Sequence, residues 1–366
     1  MKFSIRKKNT IPANSSQSSV EPLINQQAKW LAADGEHANI VISTRIRLAR
    51  NFSNTPFPNC ATHNELMDIL KQAEQLFSQL TVMNNGYFLT NTALSEMDKH
   101  LLLERHLISP IWLKQRLPAA VAISADEIIS FMINEEDHLR IQVLQSGLQI
   151  NQAWEICRHL DDEIGKIFDL AFSDYFGYLT ACPTNAGTGM RISVAINLVA
   201  LALKKEIDTI VKEKFADEFT IRGFYGEGTD VWGYIFQVSN QLTLGRSEEG
   251  ILRRFSDFVN KLVEAEQTAR KSLYEHNRVV LEDKVFRARA ILKNARILST
   301  VESINLISYL RLGADLGLID DISHQELNGL MVLLQPAHLQ KFHGGELASE
   351  KRDVLRPQFI QKKLKL

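Results

Sequence analysis

The chain has 366 residues, 45% of them hydrophobic and 23% charged, an ordinary globular composition with room for two domains or one large one plus an extension. Lys and Arg number 42 against 43 Asp and Glu, so the near-zero net charge leaves no global nucleic-acid footprint, and any anion site has to be local. The three widely spaced cysteines, Cys60, Cys157 and Cys182, argue against a disulfide framework and fit a reducing cytoplasm; no apolar run reaches the ~20 residues of a membrane span.

The start, MKFSIRKKNT, is basic but continues into the polar IPANSSQSSVEP, so residues 1–22 read as a mobile tail and not as a secretion signal. A short helix around Trp30 is expected over 22–34. A strand follows over 40–48, in VISTRIRLARN: Ser43, Arg45 and Arg47 share one face, while Ile42, Thr44, Ile46 and Leu48 share the core-facing other. Taken alone, this stretch reads as an exposed face whose arginines meet surface carboxylates. Helical periodicity predicts helices over 63–80 and 95–109. Residues 119–123, 127–133 and 138–145 read as strands, the last two a hairpin turned at NEED (134–137). A long helix is expected over 150–172, a loop at ACPTNAGTGMR (181–191), a helix over about 190–205, and a second hairpin of 219–224 and 231–240 around GEGTD. From about 247 the pattern is helical, with further helices at 280–295, 300–311, 323–335 and 349–365. The expected fold is α+β over 23–270, a largely antiparallel sheet flanked by helices, followed by an all-helical domain over 271–366.

Arginines gather at the ends and faces of these elements. His138, Arg140 and Gln142 share a strand face behind the Glu135–Glu136–Asp137 turn. Arg191 is expected at a helix start behind a glycine-rich loop, where free N–H groups favour anions, and Arg222 sits just before Gly223. With Arg45 and Arg47 these make five guanidinium groups, a set suited to a polyphosphate because arginine stays charged and grips phosphate bidentately. The P-loop GxxxxGK[ST] and the protein-kinase HRD and DFG sets are absent, and the ten histidines form no metal-ligand pattern.

STRIR (43–47), NEEDHLR (134–140), CPTNAGTGMR (182–191) and RGFYGEG (222–228) together resemble, in order, the signature blocks of ATP:guanidino phosphotransferases, the family of creatine and arginine kinases. The STRIR-like block lies near the N-terminus, without the helical domain that precedes it in small-guanidino kinases, and a helical region follows the catalytic part. Both features, with HLISP (106–110), SNQLTLGRSEE (239–249) and RLGADLGLI (311–319), resemble the bacterial protein-arginine kinases of the McsB type.

The resemblance implies transfer of the ATP γ-phosphoryl group, with Mg²⁺ held mainly by the phosphates, to a guanidino nitrogen of protein arginine. It implies Glu136 as guanidinium clamp and general base, and Glu227 as a second carboxylate on a loop over the guanidine. The nucleotide is expected on Ser43, Thr44, Arg45, Ile46, Arg47, His106, Arg140, Arg191, Ile192, Ser193, Val194, Ala195, Arg222, Gly223, Phe224, Tyr225, Gly226 and Glu227. Cys182 matches the family's reactive cysteine. RDVLRP (352–357) resembles the family's phosphoarginine-binding motif, through Arg352, Asp353 and Arg356, with Pro357 replacing its alanine. The family further implies protein substrates with exposed arginine, a homodimer, an activator protein, delivery of marked proteins to a Clp-type protease, and a cytoplasmic location. A kinase of free arginine or another small guanidine, and a non-catalytic phosphoarginine-binding adaptor, are the alternatives.

Overall fold

The computed structural model describes residues 19–207, 218–224 and 231–365. One sheet organises it. Its strands are β1 (Val41–Arg50), β2 (Tyr87–Thr90), β3 (Ala120–Ile123), β4 (Ile129–Ile133), β5 (Leu139–Ser146), β8 (Met190–Asn197), β9 (Phe219–Gly223) and β10 (Ile235–Asn240). They lie in the order β2-β3-β4-β5-β1-β8-β10-β9, and every neighbouring pair is antiparallel. A separate small hairpin joins β6 (Phe172–Ser173) to β7 (Gly177–Tyr178).

Alternation along the strands gives the sheet two different faces. Ile46, Leu48, Ile141, Val143, Ile192, Val194 and Val238 point into the main core. Three long helices cover that face: α2 (His63–Gln79), α5 (Ile150–Gly165) and α7 (Glu248–His276). Helix α2 begins at a capping box in which Thr62 accepts from the Glu65 N–H and Glu65 reaches back to Thr62.

The opposite face is polar in the middle and apolar at both ends. At one end Tyr87, Leu89, Val121, Ile123 and Met132 pack under α1 (Glu21–Asn25), α3 (Glu96–Glu104) and α4 (Pro110–Leu113). At the other, Ile42, Leu144, Ala195 and Ile235 pack under the C-terminal helices. These are α8 (Arg278–Asn294), α9 (Thr300–Asp315), α10 (His324–Leu333), α11 (Pro336–His343) and α12 (Ser349–Leu364). The α+β architecture with a helical C-terminal region is thus as the sequence predicts.

Several elements differ from expectation. Residues 190–205 are not one helix: MRISVAIN is strand β8, and only α6 (Val199–Lys204) is helical. Arg191 therefore lies on a strand. The helix expected over 150–172 ends at Gly165, and that over 22–34 is α1 plus a single 3₁₀ turn at Lys29–Leu31. The helix over 95–109 stops at Glu104, and His106 takes a left-handed turn at φ +59°. Of the expected tail, residues 1–18 lie outside the described residues, and Val20 is already buried beside Leu23. The boundary expected near 270 falls inside α7, where Arg270 donates to Asp315 of α9 at 2.7 Å.

Candidate active site

The polar face of the sheet carries all five arginines, four on the central strands β1, β5 and β8 and Arg222 exposed on the edge strand β9. Arg47 on β1 lies directly opposite Arg191 on β8 and Gln142 on β5. Arg45 lies opposite Ser193, Arg140 opposite Ala49, and Arg222 on β9 opposite Gln237 on β10. Neutral side chains steer some of these guanidiniums: Arg45 donates to Gln237 at 2.9 Å and to Ser193 at 3.3 Å, and Arg191 to Ser239 at 3.1 Å. Among the described residues the Nε atoms of Arg47 and Arg191 are buried without a partner. Burial, then Arg140 and Arg191, pushes the Arg45 pKa down to about 10. Arg47 is held well below its ordinary value by burial and by Arg45, Arg140 and Arg191. A group of cations assembled against mutual repulsion, with N–H donors left over, is a site for a multiply charged anion.

The aromatic end of the cleft lies beside Arg45. The His106 ring is 4.7 Å from that of Phe224 and 5.7 Å, edge-on, from Trp30. Burial and the Arg45 charge push the His106 pKa down to about 3, so the ring is neutral at physiological pH. Its carbonyl accepts from Gln142 at 2.8 Å, which fixes the left-handed turn to the sheet. A neutral flat pair next to a cationic row suits a planar heterocycle joined to phosphates.

The turn of 134–138 brings acid to the other end. Asn134, at φ +53°, donates to the carbonyls of Leu66 and Pro118, both at 3.0 Å. Glu135 points inward and takes both contacts from Arg140, at 2.6 and 2.7 Å, with Ser109 donating to it as well. Burial alone would raise its pKa, but Arg140 overrides this and holds the carboxyl below its ordinary value. Asp137 is buried and accepts from Asn51 and from the Ala181 N–H, each at 2.7 Å. Glu136 is left half-buried, its carboxylate touched by Asn185 at 3.3 Å. Burial, then Asp137 and Glu135, raises its pKa above the ordinary value. A carboxylate with raised basicity, without a cation partner among the described residues and within electrostatic reach of Arg140, can receive a guanidinium and take its proton.

Comparison with known proteins fits this geometry. A family model described as "ATP:guanido phosphotransferase, C-terminal catalytic domain" matches residues 68–269, and one described as "Protein-arginine kinase McsB C-terminal domain" matches 278–366. The chain belongs to the ATP:guanido phosphotransferase family. Among its relatives is the "Protein-arginine kinase" of Pelotomaculum thermopropionicum, 41% identical over 93% of this chain and 97% of its own. That of Geobacillus kaustophilus is 43% identical over 92% of this chain and 93% of its own. A crystal structure of lombricine kinase, 24% identical, shares the fold over 66% of this chain and 71% of its own, with a TM-score of 0.56.

Within this phosphotransferase frame, the expected nucleotide residues fall into three groups. Ser43, Arg45, Arg47, His106, Arg140, Arg191, Ser193, Ala195, Arg222 and Phe224 come together on the polar face or its aromatic end. The side chains of Thr44, Ile46, Ile192 and Val194 do not: Thr44 donates to the Gly147 carbonyl at 2.7 Å, and the other three sit in the main core. Gly223 ends β9, while Tyr225, Gly226 and Glu227 lie outside the described residues. Cys182 is half-buried, its Sγ 3.0 Å from the Thr184 hydroxyl.

The C-terminal trio lies apart from the cleft, on α12. Arg356 is buried and donates to the carbonyls of Leu334 at 3.1 Å and Leu298 at 2.5 Å, and to Asp353 at 2.6 Å. Arg352 is half-exposed and donates to the Leu347 carbonyl at 2.6 Å. Pro357 sits inside the helix and has no N–H for the Asp353 carbonyl one turn back. That carbonyl accepts instead from Leu298 at 2.9 Å, so α12 grips both backbone groups of Leu298.

The sequence reading passed over Gln237, Ser239 and Asn185. Gln237 and Ser239 were legible as one face of the alternating IFQVSN. Asn185 reaches Glu136 across 49 residues of chain, and nothing local announces that contact.

Proposed function

We propose that this chain is a protein-arginine kinase, moving the γ-phosphoryl group of ATP to a guanidino nitrogen of arginine side chains in proteins. The observation that carries the reading is five arginines on one sheet face and, in the turn just before Arg140, a Glu136 of raised basicity with no cation partner among the described residues.

The base of ATP lies at the His106–Phe224 end, with the phosphates along Arg45, Arg47, Arg140, Arg191 and Arg222. The unpaired Nε donors of Arg47 and Arg191 fit such an anion. Magnesium supplies charge neutralisation when bound, and the phosphates themselves are its main ligands. Glu136 orients the arginine guanidinium and accepts its proton as the nitrogen attacks phosphorus. The P–N bond forms while the bond from phosphorus to the bridging oxygen breaks, and ADP leaves with that electron pair. The arginines stabilise the charge in flight. Glu227 belongs to the same reading as a second carboxylate over the guanidine. Marking of the product for a Clp-type protease, an activator partner, a homodimer, a cytoplasmic location and a phosphoarginine reader at Arg352, Asp353 and Arg356 are the further parts of this proposal that the family resemblance implies.

Its test is an assay of ATP with a denatured protein against ATP with free arginine, followed by detection of acid-labile phosphate. Phosphorylated protein arginine is the expected product. A clear preference for the free amino acid would overturn the reading, and so would no transfer to either.

A further inference from the structure

An exposed aromatic patch adjoins the acid end of the cleft. Phe172, Tyr175 and Phe176 of the β6–β7 hairpin are 56%, 85% and 50% exposed, and Leu244 beside them is 52% exposed. So many large apolar side chains in one place, next to a candidate active site, mark an interaction surface and not scattered surface residues.

The patch is built, and built onto the site. Gly177, at φ +74°, lets the hairpin backbone close on Gly187: a Cβ there would meet the Gly187 carbonyl oxygen at 2.5 Å. Gly187, at φ +101°, in turn lies against Thr243 and Leu244, where a Cβ would meet the Thr243 oxygen at 2.6 Å. Three backbone segments are thereby stacked: Tyr178 N–H donates to the Gly187 carbonyl at 2.8 Å, and the Thr243 hydroxyl shares its hydrogen between the carbonyls of Thr184 and Ala186. Asn185, in that same loop, touches Glu136. Ala181, bonded to Asp137, is three residues from Tyr178, so the path from hairpin to acid turn spans at most about 10 Å. The border is of mixed charge, with Asp174 in the hairpin turn, Glu248 at the patch edge and Arg246 beside it.

We propose that Phe172, Tyr175, Phe176 and Leu244 dock apolar side chains that flank the target arginine in an unfolded polypeptide. This rests on the protein-arginine kinase reading. The patch is continuous with the guanidine end through Gly177, Gly187 and Asn185, so a chain whose arginine reaches Glu136 passes over it. A folded partner has its own large apolar side chains buried, whereas an extended chain offers one to the patch while its arginine sits at Glu136.

The experiment compares two synthetic peptides with one arginine each, one flanked within five positions by Leu and Phe, the other by Ser and Gly. Wild type is expected to phosphorylate the apolar peptide with about tenfold higher kcat/KM, the value of partly burying one or two such side chains. The double variant Tyr175→Ser, Phe176→Ser is expected to lose that preference through KM, with the polar peptide unaffected. Tyr175→Ser alone, at a residue too exposed to hold the fold, is expected to show part of the same loss. ATP binding and melting temperature are expected to stay at wild-type values. Equal rates for both peptides in wild type, or an equal loss on both in the variants, would overturn the docking role while leaving the kinase reading intact. Wild-type transfer to neither peptide would overturn both. Self-association that the double variant abolishes, seen by sedimentation, would make the patch a contact between copies and also overturn it.

Discussion

Arg47 and Arg191 face each other directly across the β1–β8 ladder, two guanidiniums at a position where like charges destabilise a sheet. Neither Nε has a partner among the described residues, and both groups are held below their ordinary pKa, by burial first and neighbouring arginines next. The pair is therefore costly in the empty protein and favourable once an anion lies over it. Replacing Arg47 by Met should raise the melting temperature of the ligand-free protein, by relief worth about 1 kcal/mol. It should also weaken ATP binding roughly 10–100-fold, the loss of one charged hydrogen-bonding partner. Thermal shifts measured with and without ATP check both signs. A lower ligand-free melting temperature with an intact ATP shift would make Arg47 a structural residue.

Glu136→Gln should cut kcat by about 10²–10⁴-fold with ATP affinity unchanged. The same variant should be more stable than wild type at neutral pH. Because the folded-state pKa of Glu136 is raised, the native state binds more protons than the unfolded one through that window, and stability falls as pH rises across it. Below the ordinary carboxylate pKa the wild-type side chain is neutral in both states, so the stability gap should close. Melting curves from pH 4 to pH 8 test this, and a gap that does not depend on pH would remove the titration argument.

Half of this site was legible from residue types and half was not, for a physical reason. The alternation in β1 exposes its arginines plainly, because polar and apolar positions separate by face. β8 is buried on both faces over most of its length, so MRISVAIN runs straight into VALALK as one apolar stretch. Periodicity cannot divide such a run, so the sequence alone puts Arg191 at a helix start. The second Glu of NEED stands out in the sequence only through the family resemblance. That Glu135 is spent on Arg140 and Asp137 on Asn51, which leaves Glu136 free, emerges only from contacts that cross the sheet.

Gly187→Ala should lower kcat without weakening ATP binding. Its left-handed backbone disfavours a side chain, and the new Cβ would press on Thr243 and Leu244. The 183–187 loop has to shift, and with it Asn185 from Glu136. A loss of about 1–3 kcal/mol in stability is expected alongside. Full activity with unchanged melting would show that the loop does not position the carboxylate.

Arg356→Ala and Arg352→Ala should behave differently although both belong to one motif. Arg356 is buried with three internal acceptors, so its loss should cost about 2–4 kcal/mol in denaturant unfolding. Arg352 is half-exposed and should cost about 0.5 kcal/mol or less. Titration of phosphoarginine against the Arg352 variant then reports on binding without a folding defect. Equal destabilisation by the two would contradict the clamp on Leu298.

The C-terminal helices roof the apolar end of the very face whose middle holds the arginines, with Ile42, Leu144, Ala195 and Ile235 beneath them. Leu144 stands directly opposite Arg45, so roof and phosphate cleft share a border one residue wide. A protease that cut at Asn277, in the short break between α7 and α8, would not release a catalytic part from restraint. Loss of the severed segment would strip that border bare and let water and other chains at it. Removing residues 278–366, 89 codons, is therefore expected to give an aggregation-prone fragment with less activity, not more.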